Sequence, residues 1–91
     1  HDNWGSLDFK ASERELNAFY AEFEAVAPEK VRPHQHPGVE VLYLISGKLE
    51  LTISSDGRVL EEGDAIYFDS AVRHSYRRVG KNRCSAVIVT V

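Results

Sequence analysis

The sequence predicts an all-β domain built from antiparallel strands, and three observations carry that expectation. From Val39 onward, short runs of β-branched, aromatic and aliphatic residues recur between Gly-containing breaks. Leu49, Leu51 and Ile53 alternate with Lys48, Glu50 and Thr52, the period-two pattern of a strand with one buried face. Just ahead of these runs, Pro33 and Pro37 bracket a segment and forbid a helix there.

Taken in order, the N-terminal third admits two readings. Leu16, Phe19, Tyr20 and Phe23 recur at helical spacing behind a cap signal at Ser12 with Glu15 three residues on. As alternation, Phe19, Ala21 and Phe23 share one face. A strand over 18–26 is the expectation, because the strands downstream need partners for their edges. Residues 1–17 are expected to form an N-terminal arm or edge strand, and 18–91 a single domain. Val39–Ser46 reads as a strand broken by Gly47, and Lys48–Ile53 as the next. Ser54-Ser55-Asp56-Gly57 reads as a hairpin turn, with Asp-Gly its strongest signal, and Val59-Leu60 as a short return. Glu62-Gly63-Asp64 turns the chain into a strand over 65–68. Residues 75–79 and 83–91 are expected to pair as a closing hairpin around Gly80-Lys81-Asn82.

Size and composition narrow the classes. Ninety-one residues suffice for one domain. A hydrophobic share of 43%, a charged share of 27% and a net charge of -3 are globular values, unlike those of a disordered tail. This mildly acidic balance argues against a phosphate-backbone binder. The longest apolar runs, 41–45 and 86–89, fall far short of the roughly 18 residues that cross a bilayer, so no membrane span is expected. Cys84 stands alone and cannot form an internal disulfide; it reads as a small buried hydrophobe in a reducing compartment, and a cytoplasmic location is expected. The chain contains no Met and opens at His1, which is expected of a piece of a longer protein.

The chemistry concentrates in Pro33-His34-Gln35-His36-Pro37-Gly38-Val39-Glu40 and in His74. In the extended backbone that the prolines impose, positions two apart project to the same side, so His34 and His36 are neighbours. Glu40 keeps their parity, and His74 follows a later strand that reaches them if the sheet curls over. An isolated His-x-His pair is more often two exposed loop histidines. Here every histidine except His1 falls in this set, which favours a metal site.

At this point the chain resembles a known family. His34-x-His36-x-x-x-Glu40, with six residues before Gly47, resembles the first motif of the cupin superfamily. Gly63-Asp64, with nine residues before His74, resembles its second. The likeness runs from about residue 19 to 91. It implies a small antiparallel jelly-roll β-barrel, with one divalent transition metal held inside by His34, His36, Glu40 and His74. It also implies strand over helix for 18–26. Asp69 stands where the second motif usually has Pro, Ala71 where it often has Gly, and Arg78 where some members carry Asn. Pro28 replaces the Gly that opens the first motif. None of these departures removes a ligand. Three imidazoles and a carboxylate without thiolate suit Fe, Mn, Ni, Co, Cu or Zn.

A narrower likeness rests on Phe19-Tyr20-Ala21-Glu22-Phe23-Glu24, on His36-Pro37-Gly38-Val39-Glu40, and on Ile66-Tyr67-Phe68-Asp69-Ser70 leading to His74-Ser75-Tyr76-Arg77. These are similar to the C-terminal cupin domain of bacterial regulators that begin with a helix-turn-helix of the XRE type. The resemblance implies a small-molecule effector sensor whose DNA contact is made only through an N-terminal domain absent from this chain. The alternative is a stand-alone metal-dependent enzyme of dioxygenase or isomerase type. No general base beyond the ligands is evident, which tilts the balance toward sensing and leaves catalytic residues unassigned.

Strand parity places Tyr76 and Arg78 with His74, and Leu42 and Leu44 with Glu40; these four are the candidate ligand-binding residues. As plain barrel core, Leu42, Leu44 and Tyr76 would be unremarkable. Arg73, Arg77, Arg78, Lys81 and Arg83 gather 5 of the 11 basic residues into one run, either a solvated hairpin or a mouth that favours an anionic effector. Val39, Val41, Tyr43 and Ile45 face away from Glu40. That apolar row predicts a homodimer unless residues 4–9 cover it within one chain.

Overall fold

The computed structural model describes the backbone of residues 4–10 and 15–91, and side chains from Asn17 onward. The described elements are β1 (Trp4–Lys10), β2 (Glu15–Phe23), a 3₁₀ turn (Pro28–Lys30), β3 (Val39–Ser46), β4 (Lys48–Ile53), β5 (Asp56–Glu61), β6 (Ala65–Asp69), β7 (His74–Val79) and β8 (Cys84–Thr90). They form two antiparallel sheets, one in the order β1-β2-β8-β3-β6 and the other β5-β4-β7. The fold is an all-β jelly roll whose sheets face each other without hydrogen-bonding into a closed cylinder.

The pleat explains the core. Along β3, Glu40, Leu42 and Leu44 are buried while Val39, Val41, Tyr43 and Ile45 alternate outward. Leu42 and Leu44 share one hydrophobic core with Leu49 and Leu51 of the facing sheet, and all four are fully buried. Each such leucine contributes about 1.5–3 kcal/mol of burial. Gly47 makes the corner between the sheets. Its φ is +82°, and a Cβ there would lie 2.4 Å from the Arg83 carbonyl oxygen, so only glycine lets β3 pass into β4.

Three expectations meet the structure differently. The strand expected over 18–26 is β2 over Glu15–Phe23, and it lies between β1 and β8 with Phe19 opposite Ile88 and Ala21 opposite Ala86. Tertiary pairing on both edges overrides the helical spacing of Leu16, Phe19, Tyr20 and Phe23. The β4–β5 turn is Ser54-Ser55, with Ser54 at φ 57°, rather than Asp56-Gly57. That register sets Leu60 opposite fully buried Leu49 instead of opposite half-buried Ile53. The closing hairpin is also corrected: β7 pairs with β4, and β8 inserts between β2 and β3 in the other sheet. β8 is apolar on both faces, which suits a central strand better than a hairpin arm.

β1 is an edge strand bonded to β2. The outward row of β3 remains open, with Val41 37% and Tyr43 47% exposed. No described helix is long and apolar enough to cross a membrane.

Candidate metal centre

Two stretches of backbone build the site. Pro33 and Pro37 keep the segment before β3 extended, and it runs beside the segment entering β7. His34 N–H donates to the His74 carbonyl at 2.6 Å and His74 N–H returns to the His34 carbonyl at 3.0 Å. His36 N–H donates to the Ser70 carbonyl at 2.9 Å, and Ser70 N–H to the Gly38 carbonyl at 3.0 Å. Gly38, at φ +108°, makes this crossing: a Cβ there would sit 2.1 Å from the Val91 carbonyl oxygen.

These contacts bring His36, Glu40 and His74 together, with ligating atoms all within 4.8 Å of one another. Glu40 Oε1 lies 3.1 Å from His36 Nε2 and 3.7 Å from His74 Nε2. Glu40 and His74 are 4% and 2% exposed. His74 Nδ1–H donates to the Val72 carbonyl at 2.8 Å, which orients the ring and turns Nε2 toward Glu40. Phe68 meets the His74 ring edge-on at 4.9 Å and holds its plane. A buried carboxylate beside two imidazoles, one of them locked by an outer hydrogen bond, is a donor set that suits a divalent transition metal. His34 is placed differently. Its side chain is exposed, its ring lies 6.1 Å from that of His74, and it is not among the three clustered donors.

A cavity of about 850 Å³ opens beside the centre, with His34, His36, Glu40, Tyr76 and Arg78 on its lining. Leu42 and Leu44 share the Glu40 side of β3 as parity requires, but there that side is packed core, and neither lines the cavity. Tyr76 packs against Phe23 with centroids 5.7 Å apart. The Tyr76 hydroxyl and Arg78 Nε are buried without hydrogen-bond partners among the described residues.

Of the expected basic run, only Arg78 lines the cavity. Arg77 is paired with Glu50 at 3.1 Å and Arg83 with Glu22. Lys30 and Arg32, from the 3₁₀ turn and the stretch beyond it, supply the other cations of the lining. Sequence reasoning also missed Ile88 and Thr90, which line it from β8; Thr90 sits opposite Glu40, a pairing legible only once β8 is known to neighbour β3. Cys84 is buried, and burial pushes its thiol up, an effect that nearby Arg78 partly offsets.

Fold and site together define a jelly-roll domain with a metal-competent histidine–carboxylate cluster. Residues 22–90 match the Cupin domain family, Cupin_2, and the chain belongs to it. No curated protein matches the chain in sequence. Among solved structures, FeII HppE in complex with substrate superposes with a TM-score of 0.81 at 15% identity, over 98% of this chain and 53% of that one. The chain thus spans about half the length of that enzyme. The Cupin_2 domain of an XRE family transcriptional regulator from Enterobacter cloacae superposes at 0.77 and 17% identity, over 96% of this chain and 94% of that one. The Cnp3 cupin domain of Schizosaccharomyces pombe does so at 0.77 and 20%, over 97% and 59%. At these identities the likeness concerns the fold.

Proposed function

We propose that this chain is a metal-binding cupin domain that senses a small-molecule effector for a cytoplasmic helix-turn-helix regulator of XRE type, whose DNA-binding half lies outside the chain. The observation that carries this reading is the centre's setting: His36 and Glu40 of the three-donor cluster line a cavity of about 850 Å³ that also holds the Tyr76 hydroxyl and Arg78 Nε, buried and unpartnered among the described residues, polar atoms placed to receive a ligand. The near-complete mutual coverage with the regulator's cupin domain supports it. His36, Glu40 and His74 would hold the metal, with His34 turning in as a fourth donor from the cavity rim. When bound, such a metal supplies open coordination positions for an oxygenated ligand. Glu40 anchors both imidazoles, Val72 orients His74, and Tyr76 and Arg78 present polar atoms to whatever enters. The outward row of β3 is proposed as the face of a homodimer.

The superposition on FeII HppE favours a second reading, a metal-dependent enzyme of dioxygenase or isomerase type. One experiment separates the two. Metal-loaded protein is incubated aerobically with compounds that raise its melting temperature. A sensor returns the compound unchanged, with a stabilisation of about 2.7 kcal/mol at a hundredfold excess over Kd. Steady product formation overturns the sensor reading.

A further inference from the structure

The stretch that leads from β2 to the site's first histidine is held at its two ends. Phe23 closes β2 opposite Cys84, and His34 exchanges backbone hydrogen bonds with His74. Between them, residues 24–33 are all exposed except half-buried Val31. Their backbone bonds are internal, Lys30 N–H to the Ala27 carbonyl at 2.8 Å and Val31 N–H to the Pro28 carbonyl at 3.3 Å, and none reaches either sheet among the described residues. A segment so sparsely bonded shifts at little cost in free energy. Pro28 and Pro33 stiffen it, so it moves about its ends as a strap rather than as loose coil.

The strap borders the cavity. Glu24, Val26, Lys30, Val31 and Arg32 all line it. Val26 is 42% exposed although it borders the same space as Phe19, Phe23 and Ile88. A wet apolar side chain above an apolar wall is stabilised by settling onto it. Charge opposes that movement. Lys30 and Arg32 on the strap and Arg78 on β7 have no ion-pair partner among the described residues. Glu22 is engaged by Arg83 and Glu40 belongs to the histidine cluster, which leaves Glu24 alone against three cations in the lining. Across a cavity with protein walls their repulsion is screened less than in bulk water.

We infer that residues 24–33 are a charge-gated strap: repulsion between Arg78 and the strap's Lys30 and Arg32 holds it off the empty cavity, and a small anion beneath it turns that repulsion into attraction and seats Val26 on the apolar wall. The inference rests on reading the cavity as a ligand pocket, and not on the metal. It gives the proposed sensor a moving part. Occupancy repositions the β2–β3 connection, which carries Ala27 and Glu29 at the surface, while both sheets stay as they are.

Limited proteolysis of the full chain tests this, with sulfate as the probe and chloride at equal ionic strength as its control. Glutamyl endopeptidase cuts after Glu24 and Glu29 in the strap, and after Glu61 and Glu62, which lie outside the cavity lining and serve as internal reference. Sulfate should slow strap cleavage by about tenfold relative to chloride and leave the reference sites within about twofold, because cutting follows the population of the open form. Arg78→Gln should slow strap cleavage without sulfate and shrink the sulfate effect. The double variant Lys30→Gln, Arg32→Gln changes two exposed residues, should do the same, and serves if Arg78→Gln does not fold. Val26→Ser should keep the melting temperature of the empty protein and lose most of the protection. No sulfate effect, an equal effect at strap and reference sites, or wild-type behaviour in the folded charge variants overturns the inference. Protection that persists after chelation upholds it even where elemental analysis denies the metal site. Protection lost on chelation overturns it, since the three cations remain.

Discussion

His34 and His74 hold each other by their backbones. Each donates its N–H to the other's carbonyl, at 2.6 and 3.0 Å, although 40 positions separate them and His34 lies in the segment before β3 while His74 opens β7 of the other sheet. The clustered donors therefore span both sheets, Glu40 on β3 with His36 just before it, and His74 on β7. Their spacing is set by main-chain bonds before any ion arrives.

That arrangement predicts about one divalent metal per chain in protein purified without chelator. His36→Ala and His74→Ala should lose most of it. His34→Ala, whose ring lies outside the 4.8 Å cluster, should weaken affinity without abolishing it. Elemental analysis and competition titration read these outcomes. A metal-free preparation that also refuses added Fe, Ni, Mn and Zn defeats the proposed site.

The glycines divide into two kinds. Gly47→Ala thrusts a Cβ to 2.4 Å from the Arg83 carbonyl oxygen and should cost more than about 3 kcal/mol, or prevent folding. Gly63 has the same sign of φ, +90°, but nothing within 4 Å of a built Cβ, so Gly63→Ala should cost only about 1–2 kcal/mol of backbone strain. Urea midpoints of the two variants make the comparison.

Leu44→Ala empties a site with no solvent exposure at the centre of the core. The expected loss is about 2–5 kcal/mol, with metal stoichiometry retained in the folded fraction. Urea denaturation followed by metal analysis checks both halves.

Burial raises the Cys84 thiol above its ordinary value of 9.0. The unfolded chain therefore releases this proton first as pH rises, the folded state binds more protons, and stability falls through and above that value. Cys84→Ala should flatten this alkaline slope. In the native protein at neutral pH, alkylation by iodoacetamide should be slow, and it should accelerate on unfolding.

The outward apolar row of β3 predicts a dimer, measurable by light scattering at tens of micromolar. Tyr43→Glu should shift the equilibrium to monomer with little change in core stability. A wild-type monomer mass at that concentration rejects the dimer.

Local pattern carried much of this molecule. The alternation of Leu49, Leu51 and Ile53, the proline bracket around His34 and His36, and the shared parity of Glu40 with Leu42 and Leu44 all appear in three dimensions as the residues imply. What the sequence could not show was neighbourhood. Nothing local tells β8 to enter between β2 and β3 or sets Thr90 opposite Glu40; that choice is made by burial on both faces at once. For the same reason parity correctly put Leu42 on the side of Glu40 but could not say where cavity ends and packed core begins. The hairpin turn expected over 54–57 narrows to Ser54-Ser55 because the local Asp-Gly preference yields to the pairing of Leu60 with Leu49.

The central seat of β8 also bears on how the domain is made. As the ribosome feeds out the chain, the stretch from His34 to His74 is present before β8 is synthesised, so the donors precede the strand that joins β2 to β3. Until residues 84–90 emerge, β2 and β3 lack a common neighbour and present open edges. A nascent chain arrested before Cys84 should therefore be protease-sensitive and reliant on chaperones. Release of that last strand, rather than arrival of the ion, should be the event that completes the fold.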